Sequence, residues 1–193
     1  MGTQDRERWD RRFATVGPGR PGPPTALVGR EDLLPVGETP RDGARPGDDA
    51  VRALDLACGR GTVAVWLAAR GLATTAVDVS TEALRLTDEL AADHGVAVTT
   101  VRADLDDGLP PAVAGPLDVV VCQRFRDPAL YPVLPRLLAP GGLLVVTVLS
   151  TVGDAGGAFR AGPGELRAAF GHLEVLVDEE GHGEAHLVAR RLT

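Results

Sequence analysis

The feature that most constrains this fold is a single stretch, residues 51–62 (VRALDLACGRGT). Residues 51–57 have the pattern of a buried strand, and a glycine turn and the start of a helix follow them. Asp55 lies two residues before the end of the strand, and Gly59 and Gly61 lie in the turn. Glycines let a backbone approach a bound group closely, and the helix beyond offers unpaired N–H groups. A carboxylate beside such a turn predicts a ligand site at the end of the strand.

Length and charge exclude several classes of protein. At 193 residues, we expect one domain with a substantial core. The net charge of −7 argues against general binding to nucleic acid or to an anionic membrane. No apolar run reaches the roughly 18 residues of a membrane span, and residues 1–30 lack the apolar segment of a secretory signal. We therefore expect a cytoplasmic protein with a small-molecule partner, as a monomer or a homodimer.

Cysteine usage and codon bias add two further expectations. Cys58 and Cys122 form neither a disulfide framework nor a zinc pattern, which suits a reduced interior without a bound metal. The chain has no Lys, Asn or Ile, whose codons are AT-rich, while Ala, Arg, Gly and Pro are abundant. This bias indicates a GC-rich, bacterial genome.

The first 50 residues differ from the rest of the chain. Residues 3–14 predict a short charged helix, in which Trp9 and Phe13 share a face. Residues 17–50 are rich in Pro and Gly, which excludes a long helix or a central strand. A short helical turn is expected over residues 25–34 and an exposed loop over residues 37–50. We interpret residues 1–50 as an N-terminal helix with a lid or linker, and residues 51–193 as the ligand-binding domain.

After Ala50, strand and helix patterns alternate. The predicted strands cover residues 51–57, 74–79, 96–101, 117–122, 143–149, 173–178 and 185–192. The predicted helices cover residues 62–70, 80–94 and 165–170, with a short helix or 3₁₀ turns opening at 127–128. Such alternation predicts a doubly wound α/β fold with a mostly parallel seven-stranded sheet. The last two strands are joined by a tight turn and predict an antiparallel hairpin, in which His182 and His186 are expected to be exposed.

Acidic residues follow successive strands. Asp55, Asp78 and Asp104 fall at the carboxyl ends of the first three strands, and Cys122 ends the fourth. Ligands of doubly wound sheets bind at that edge. We therefore expect these four residues to lie at one binding site.

The glycine turn alone leaves two ligand classes open. Residues 59–64 also satisfy the dinucleotide pattern G-x-G-x-x-G/A, and Asp78 stands close to the spacing of a ribose-binding acid. However, Asp55 would repel a diphosphate placed over the turn and would attract a ligand with a cationic amino group and a sulfonium. Asp104 and the closing hairpin also favour such a ligand over a dinucleotide.

The motifs together resemble class I S-adenosylmethionine-dependent methyltransferases. Residues 54–61 (LDLACGRG) resemble motif I, with Ala57 in place of its first glycine, and residues 76–80 (AVDVS) resemble motif II. Residues 103–105 (ADL) resemble motif III, and residues 137–144 (LLAPGGLL) are similar to the turn before strand five. The resemblance implies a Rossmann-like fold that binds S-adenosylmethionine and releases S-adenosylhomocysteine. The cofactor-binding residues that it implies are Asp55, Ala57, Gly59, Gly61, Asp78, Val79, Asp104, Leu105 and Cys122.

Within that superfamily, the chain looks most like small bacterial methyltransferases of the tellurite-resistance type. Residues 8–13 (RWDRRF) are similar to their W-D-x-x-Y opening, although Phe13 stands where a Tyr is usual. Residues 65–71 and 179–191 also fit, whereas Thr62-Val63 stand where that group often has Arg-Asn.

The expected reaction is methyl transfer to a small molecule by in-line displacement, for which positioning is the main contribution. We assign no general base. Trp9, Phe13, Arg124 and Arg126 are the candidate acceptor contacts; the two arginines either bind an anionic acceptor or form ion pairs with nearby acids. The alternatives are an NAD(P)-dependent oxidoreductase and a catalytically inactive cofactor-binding module.

Overall fold

A computed structural model of the protein describes residues 3–35, 50–154 and 156–192. The chain divides into two compact units. The first unit holds residues 1–23 and 35–114, and the second holds residues 24–34 and 115–193. The loop predicted over residues 37–50 lies outside the described residues, apart from Ala50.

The first unit contains three parallel strands in the order β3-β2-β1. Its elements are α1 (Thr3–Ala14), β1 (Arg52–Leu56), α2 (Thr62–Ala68), β2 (Ala73–Asp78), α3 (Thr81–Asp93) and β3 (Val98–Arg102). In register, Asp55 of β1 pairs with Ala76, and Asp78 of β2 pairs with Arg102. The carboxyl ends of the three strands therefore meet at one edge.

Local sequence signals explain the helix that follows β2. Ser80 is the N-cap of α3, and its Oγ accepts a hydrogen bond from the Ala83 N–H at 3.1 Å, as the sequence predicted. The buried stripe of α3 includes Ala83, Leu86 and Leu90, which recur at helical spacing. This stripe holds α3 in place, so that its first turn stays beside the end of β2.

The second unit contains four strands in the order β4-β5-β7-β6. Its elements are two 3₁₀ turns (Thr25–Leu27 and Glu31–Leu33), β4 (Leu117–Gln123), α4 (Leu134–Leu137), β5 (Leu138–Leu149), α5 (Glu165–Phe170), β6 (Glu174–Gly181) and β7 (Glu184–Arg190). β4 and β5 are parallel, and β7 is antiparallel to both β5 and β6. His182 and Gly183 have φ angles of 52° and 82°, as a type I′ hairpin turn requires. His182 is exposed, as expected, whereas the side chain of His186 is only 18% exposed.

These elements confirm the predicted class: an α/β fold with a seven-stranded, mostly parallel sheet and a C-terminal antiparallel hairpin. One local prediction was wrong. The expected turn at residues 139–142 lies inside β5, because Gly141 N–H donates to Arg191 O at 2.8 Å and Arg191 N–H donates to Gly142 O at 2.9 Å. The short helix or 3₁₀ turns expected to open at Asp127 are present as turns, in which the Leu130 N–H donates to Asp127 O at 3.1 Å, and α4 follows from Leu134.

The chain between β4 and α4 forms turns for a local reason. The Asp127 carboxylate accepts a hydrogen bond from the Ala129 N–H at 2.9 Å, which stabilises the first turn. Pro132 has no N–H to donate to Pro128 O, so the turn does not continue as an α-helix.

None of the helices in the described part of the chain has the length and apolar character needed to cross a bilayer.

Candidate active site

The carboxyl edge of the first unit carries two buried acids. Asp55 and Asp78 are only 2% and 6% exposed. Burial raises the pKa of Asp55 to about 8; the Ala64 N–H opposes this effect and the charge of Asp78 adds to it. Asp55 Oδ2 is buried and has no hydrogen-bond partner among the described residues. A buried polar atom without a partner is rare and costly in native proteins, so Asp55 is a candidate for a ligand contact.

Asp78 is held rigidly by the backbone around it. Its Oδ2 accepts a hydrogen bond from the Gly59 N–H, and its Oδ1 accepts one from the Ser80 N–H, both at 2.9 Å. Burial raises the pKa of the Asp78 carboxyl, while these hydrogen bonds oppose the rise. Each carboxylate oxygen can accept more than one hydrogen bond. The carboxylate therefore ties the glycine turn to the start of α3, and its oxygens can accept further hydrogen bonds.

The two glycines of the turn have different roles. Gly61 has φ +70°, and a Cβ there would lie 2.4 Å from Thr87 Cγ2, so this glycine lets α3 pack against the turn. Gly59 has φ +54°, and a Cβ there would lie 3.4 Å from Phe13 Cζ. The Phe13 ring of α1 therefore lies directly over Gly59.

Ala57, which replaces the first glycine of motif I, has a left-handed backbone with φ 53°. An L-residue in that conformation costs about 1–2 kcal/mol. Ala57→Gly is therefore expected to raise the free energy of unfolding by about 1 kcal/mol, after the greater flexibility of glycine in the unfolded chain is allowed for. Urea denaturation measures this change. The control is Ala53→Gly in β1, which should lose stability; a loss of stability in Ala57→Gly as well would contradict the prediction.

Asp10 docks α1 beside the site, a role that the sequence reasoning missed. Its Oδ1 accepts hydrogen bonds from Ser80 Oγ at 2.6 Å and from the Glu82 N–H at 3.3 Å. On the same helix, Trp9 and Phe13 stack with their ring centroids 5.9 Å apart. The W-D-x-x-F spacing contained the signal, because the acid between the two aromatics can reach the N-terminus of α3. Asp10 thereby holds α1 in the position that places Phe13 over Gly59.

The chain after α1 also follows the glycine turn. Arg60 Nη1 donates to Gly17 O at 2.9 Å, and the Gly22 N–H donates to Thr62 O at 3.1 Å. Residues 17–22 therefore lie along the start of α2, and the lid interpretation of the N-terminal segment stays a prediction.

The remaining predicted residues of the first unit have local roles. The Asp104 Oδ1 accepts a hydrogen bond from the Asp106 N–H at 3.1 Å and caps a 3₁₀ turn in which Leu105 is buried. Val79 is partly exposed between Asp78 and Ser80. The Ala103 N–H donates to Asp78 O at 3.1 Å, so the segment that carries Asp104 leaves the sheet beside Asp78.

Cys58 is placed for packing and not for thiol chemistry. Burial, and then the charges of Asp55 and Asp78, raise the pKa of its thiol well above the usual value. Its Sγ lies 3.9 Å from Thr87 Oγ1. A protonated thiol is a weak nucleophile, so this geometry favours the packing role.

In the second unit, Cys122 is buried near the end of β4, and its Sγ donates to Phe125 O at 3.5 Å. Arg124 donates to Glu184 Oε1 from Nε at 3.0 Å and from Nη2 at 2.6 Å. Arg126 forms a bidentate pair with Glu165, with both hydrogen bonds at 2.7 Å.

These contacts favour one of the two interpretations of the arginines. Arg126 lowers the pKa of the Glu165 carboxyl, and Glu165 in turn raises the pKa of Arg126. The Tyr131 hydroxyl donates to the same carboxylate at 2.9 Å. Both guanidinium groups thus have a carboxylate partner, as the ion-pair interpretation requires, and binding of an anionic acceptor stays a prediction.

Comparison with known proteins agrees with this geometry. Residues 53–142 match the family described as "Methyltransferase domain". The ubiquinone biosynthesis O-methyltransferase of Caulobacter sp. (strain K31) is 33% identical over 126 residues, which is 63% of this chain and 49% of that protein. The ribosomal RNA small subunit methyltransferase C of Chromohalobacter salexigens is 34% identical over 144 residues, which is 69% of this chain and 40% of that protein.

A solved structure shows the same fold. TehB from Haemophilus influenzae superposes with a TM-score of 0.63 at 18% identity, over 75% of this chain and 58% of that one. At such an identity the likeness is one of fold. The architecture is thus that of the class I, Rossmann-like methyltransferases. Residues 53–142 belong to the methyltransferase-domain family, which confirms the resemblance seen in the motifs. The chain spans about half the length of the curated relatives that it matches.

Proposed function

We propose that this protein transfers a methyl group from S-adenosylmethionine to a small-molecule acceptor. The observation that carries the proposal is the buried carboxyl of Asp55, whose Oδ2 has no partner among the described residues. A cationic ligand group is the chemical complement of such an atom. S-adenosylmethionine, when bound, supplies a methyl group activated by a positively charged sulfur.

The residues of the first unit fit this cofactor. Asp55 would hold the amino group of its methionine end, and Asp78, fixed by two backbone N–H groups, would accept hydrogen bonds from the ribose hydroxyls. Asp104 would meet the exocyclic amine of adenine, as the motif resemblance implies. Phe13, over Gly59, would exclude water from the methionine end. The chain's own contribution is therefore to orient the cofactor and to exclude water from the site.

Charge supports a small acceptor over RNA, although one relative is a ribosomal RNA methyltransferase. Proteins that bind RNA neutralise phosphates with Lys and Arg, whereas this chain has a net charge of −7. Arg124 and Arg126, which follow β4, are already paired with Glu184 and Glu165. We therefore propose a small-molecule acceptor.

Asp78→Ala is expected to weaken S-adenosylhomocysteine binding about 10- to 100-fold, because hydrogen bonds to a charged group contribute about 1.5–3 kcal/mol. Isothermal titration calorimetry measures the affinity. Asp93→Ala, which removes the same charge from an exposed position at the end of α3, should bind like the wild type. Wild-type protein that binds NADH and not S-adenosylhomocysteine would refute the proposed function, and an unchanged affinity in Asp78→Ala would refute the assignment of Asp78.

A further inference from the structure

The first helix, α1, is too short to be stable by itself. It has 12 residues, and isolated helices of about that length are marginal in water. Between residues 6 and 14, the apolar side chains are those of Trp9, Phe13 and Ala14, and the others are charged. α1 therefore depends on a small number of contacts with the rest of the first unit.

Among the described residues, two hydrogen bonds join α1 to the start of α3, and one oxygen of Asp10 accepts both. Ser80 Oγ donates to Asp10 Oδ1 at 2.6 Å, and the Glu82 N–H donates to the same oxygen at 3.3 Å. At the N-terminus of a helix, free N–H groups and the helix dipole favour a negative charge. The carboxylate of Asp10 is thus the polar anchor of α1.

The segment that receives Asp10 also carries Asp78. Ser80 is fully buried, its Oγ accepts from the Ala83 N–H, and its own N–H donates to Asp78 Oδ1. The other oxygen of Asp78 accepts from the Gly59 N–H. A chain of hydrogen bonds therefore runs from Asp10 through Ser80 and Asp78 to the glycine turn. α1 is anchored to the same backbone that positions Asp78.

Phe13 meets this chain of hydrogen bonds at its far end. Phe13 follows Asp10 by three residues, so the two side chains share a face of α1. The ring is partly buried, and its Cζ would lie 3.4 Å from a Cβ added to Gly59. It also stacks on Trp9, with the ring centroids 5.9 Å apart. Asp10 and Phe13 therefore hold α1 at the two ends of the chain.

We propose that Asp10 is a positioning residue for the cofactor: it keeps α1 docked so that Phe13 covers the methionine end, and α1 must undock before the cofactor leaves. The inference rests on the proposed function, in which the methionine end lies at Asp55 and the glycine turn. Asp10 acts through Phe13 and does not itself touch the cofactor. Because coupling between two equilibria is reciprocal, bound cofactor should in turn stabilise the docked α1.

Surface plasmon resonance on the immobilised full-length protein tests this role with S-adenosylhomocysteine and adenosine as probes. Asp10→Ala is expected to raise the dissociation rate of S-adenosylhomocysteine about 10-fold, within the usual range for coupled sites. Asp10→Asn keeps an oxygen acceptor without the charge and should have a smaller effect. Adenosine lacks the methionine end, so it should bind Asp10→Ala and the wild type alike, which also shows that the variant is folded around Asp78.

A double-mutant cycle shows whether Asp10 acts through Phe13. Phe13→Ala alone should also raise the dissociation rate of S-adenosylhomocysteine, and adding Asp10→Ala to it should change the rate little further. The matched control is Glu7→Ala, which removes an exposed acid from the same helix, 3.9 Å from Arg11, and should behave like the wild type. Fully additive effects of Asp10→Ala and Phe13→Ala would overturn the inference.

Hydrogen–deuterium exchange measures the docking of α1 directly. In the wild type, S-adenosylhomocysteine should slow the exchange of the amides of residues 6–14, while adenosine should not. In Asp10→Ala, neither ligand should slow it. Protection of α1 that is the same in Asp10→Ala as in the wild type would contradict the role of Asp10.

The outcomes distinguish this inference from the proposed function. Wild-type protein that does not bind S-adenosylhomocysteine would overturn both. Wild-type protein that binds it, together with an unchanged dissociation rate in Asp10→Ala, would overturn the inference alone. An equal loss of affinity for S-adenosylhomocysteine and adenosine in Asp10→Ala would show a general structural role and would also overturn it. Faster dissociation that is confined to S-adenosylhomocysteine and absent in the Phe13→Ala background would support it.

Discussion

Replacing Asp55 with Asn should stabilise the cofactor-free protein at pH 8. It should also remove the contribution of the cofactor's amino group to binding affinity. The pKa of Asp55 is about 8 in the folded protein, whereas the ordinary value for an aspartate is 3.8. At pH values between these two, the folded state therefore binds one more proton than the unfolded state. Stability from this group is thus fully present below about pH 4 and is lost as the pH rises through 8. Each unit of pKa shift corresponds to about 1.4 kcal/mol, so the loss amounts to several kcal/mol.

Urea denaturation at pH 5.5 and pH 8 tests this expectation directly. The wild type should become less stable on going from pH 5.5 to 8. Asp55→Asn should lose less stability over that range, because its neutral amide still accepts from the Ala64 N–H and has no carboxyl whose pKa is raised by burial. The exposed Asp93→Asn is the matched control for loss of one carboxylate. Equal pH dependence in wild type and Asp55→Asn would show that Asp55 is ionised in the cofactor-free protein.

The same carboxyl couples proton release to ligand binding. A cationic amino group favours the ionised form of Asp55, so the wild-type affinity for S-adenosylhomocysteine should rise between pH 6 and pH 8. Calorimetry in two buffers of different ionisation enthalpy should detect the released proton. Asp55→Asn should bind more weakly and without this pH dependence. Adenosine, which lacks the amino end, should bind both proteins alike; a change in its affinity that depends on Asp55 would contradict the assignment.

Sequence reasoning located the acidic edge because that edge depends only on strand order along the chain. Asp55 and Asp78 end consecutive parallel strands, and the carboxyl ends of such strands must meet. It could not locate contacts that depend on the register of distant segments. Thr147 and His186 meet only because β7 pairs with β5 in one particular register.

Packing between helices was hidden for a related reason. A pattern of apolar residues shows which face of α3 is buried, but not which atom of that face meets the glycine turn. Asp10 reaches Ser80 although 70 residues separate the two in the chain. Thr87 reaches Gly61 because the second turn of α3 crosses the turn after β1. The sequence therefore predicted Gly61 as a ligand contact, whereas the structure also shows a packing requirement for that glycine.

That packing requirement makes Gly61→Ala the most destabilising single change that we expect. A new Cβ would lie 2.4 Å from Thr87 Cγ2, 2.5 Å from its Oγ1 and 2.7 Å from its Cβ. Overpacking of this kind costs about 1–3 kcal/mol, and a left-handed L-residue adds about 1–2 kcal/mol. The two effects act together because Gly61 has φ +70°. Chemical denaturation should show the summed loss.

Gly71→Ala is the matched control, because Gly71 has φ +84° and a Cβ added there would meet no atom within 4 Å. It carries the backbone strain alone and should lose only about 1–2 kcal/mol. In the background of Thr87→Ala, which removes the two closest atoms, Gly61→Ala should cost less than in the wild type. Equal losses in Gly61→Ala and Gly71→Ala would show that α3 relaxes without cost. In that case the motif would need Gly61 only for ligand approach, and S-adenosylhomocysteine affinity would fall while stability matched that of Gly71→Ala.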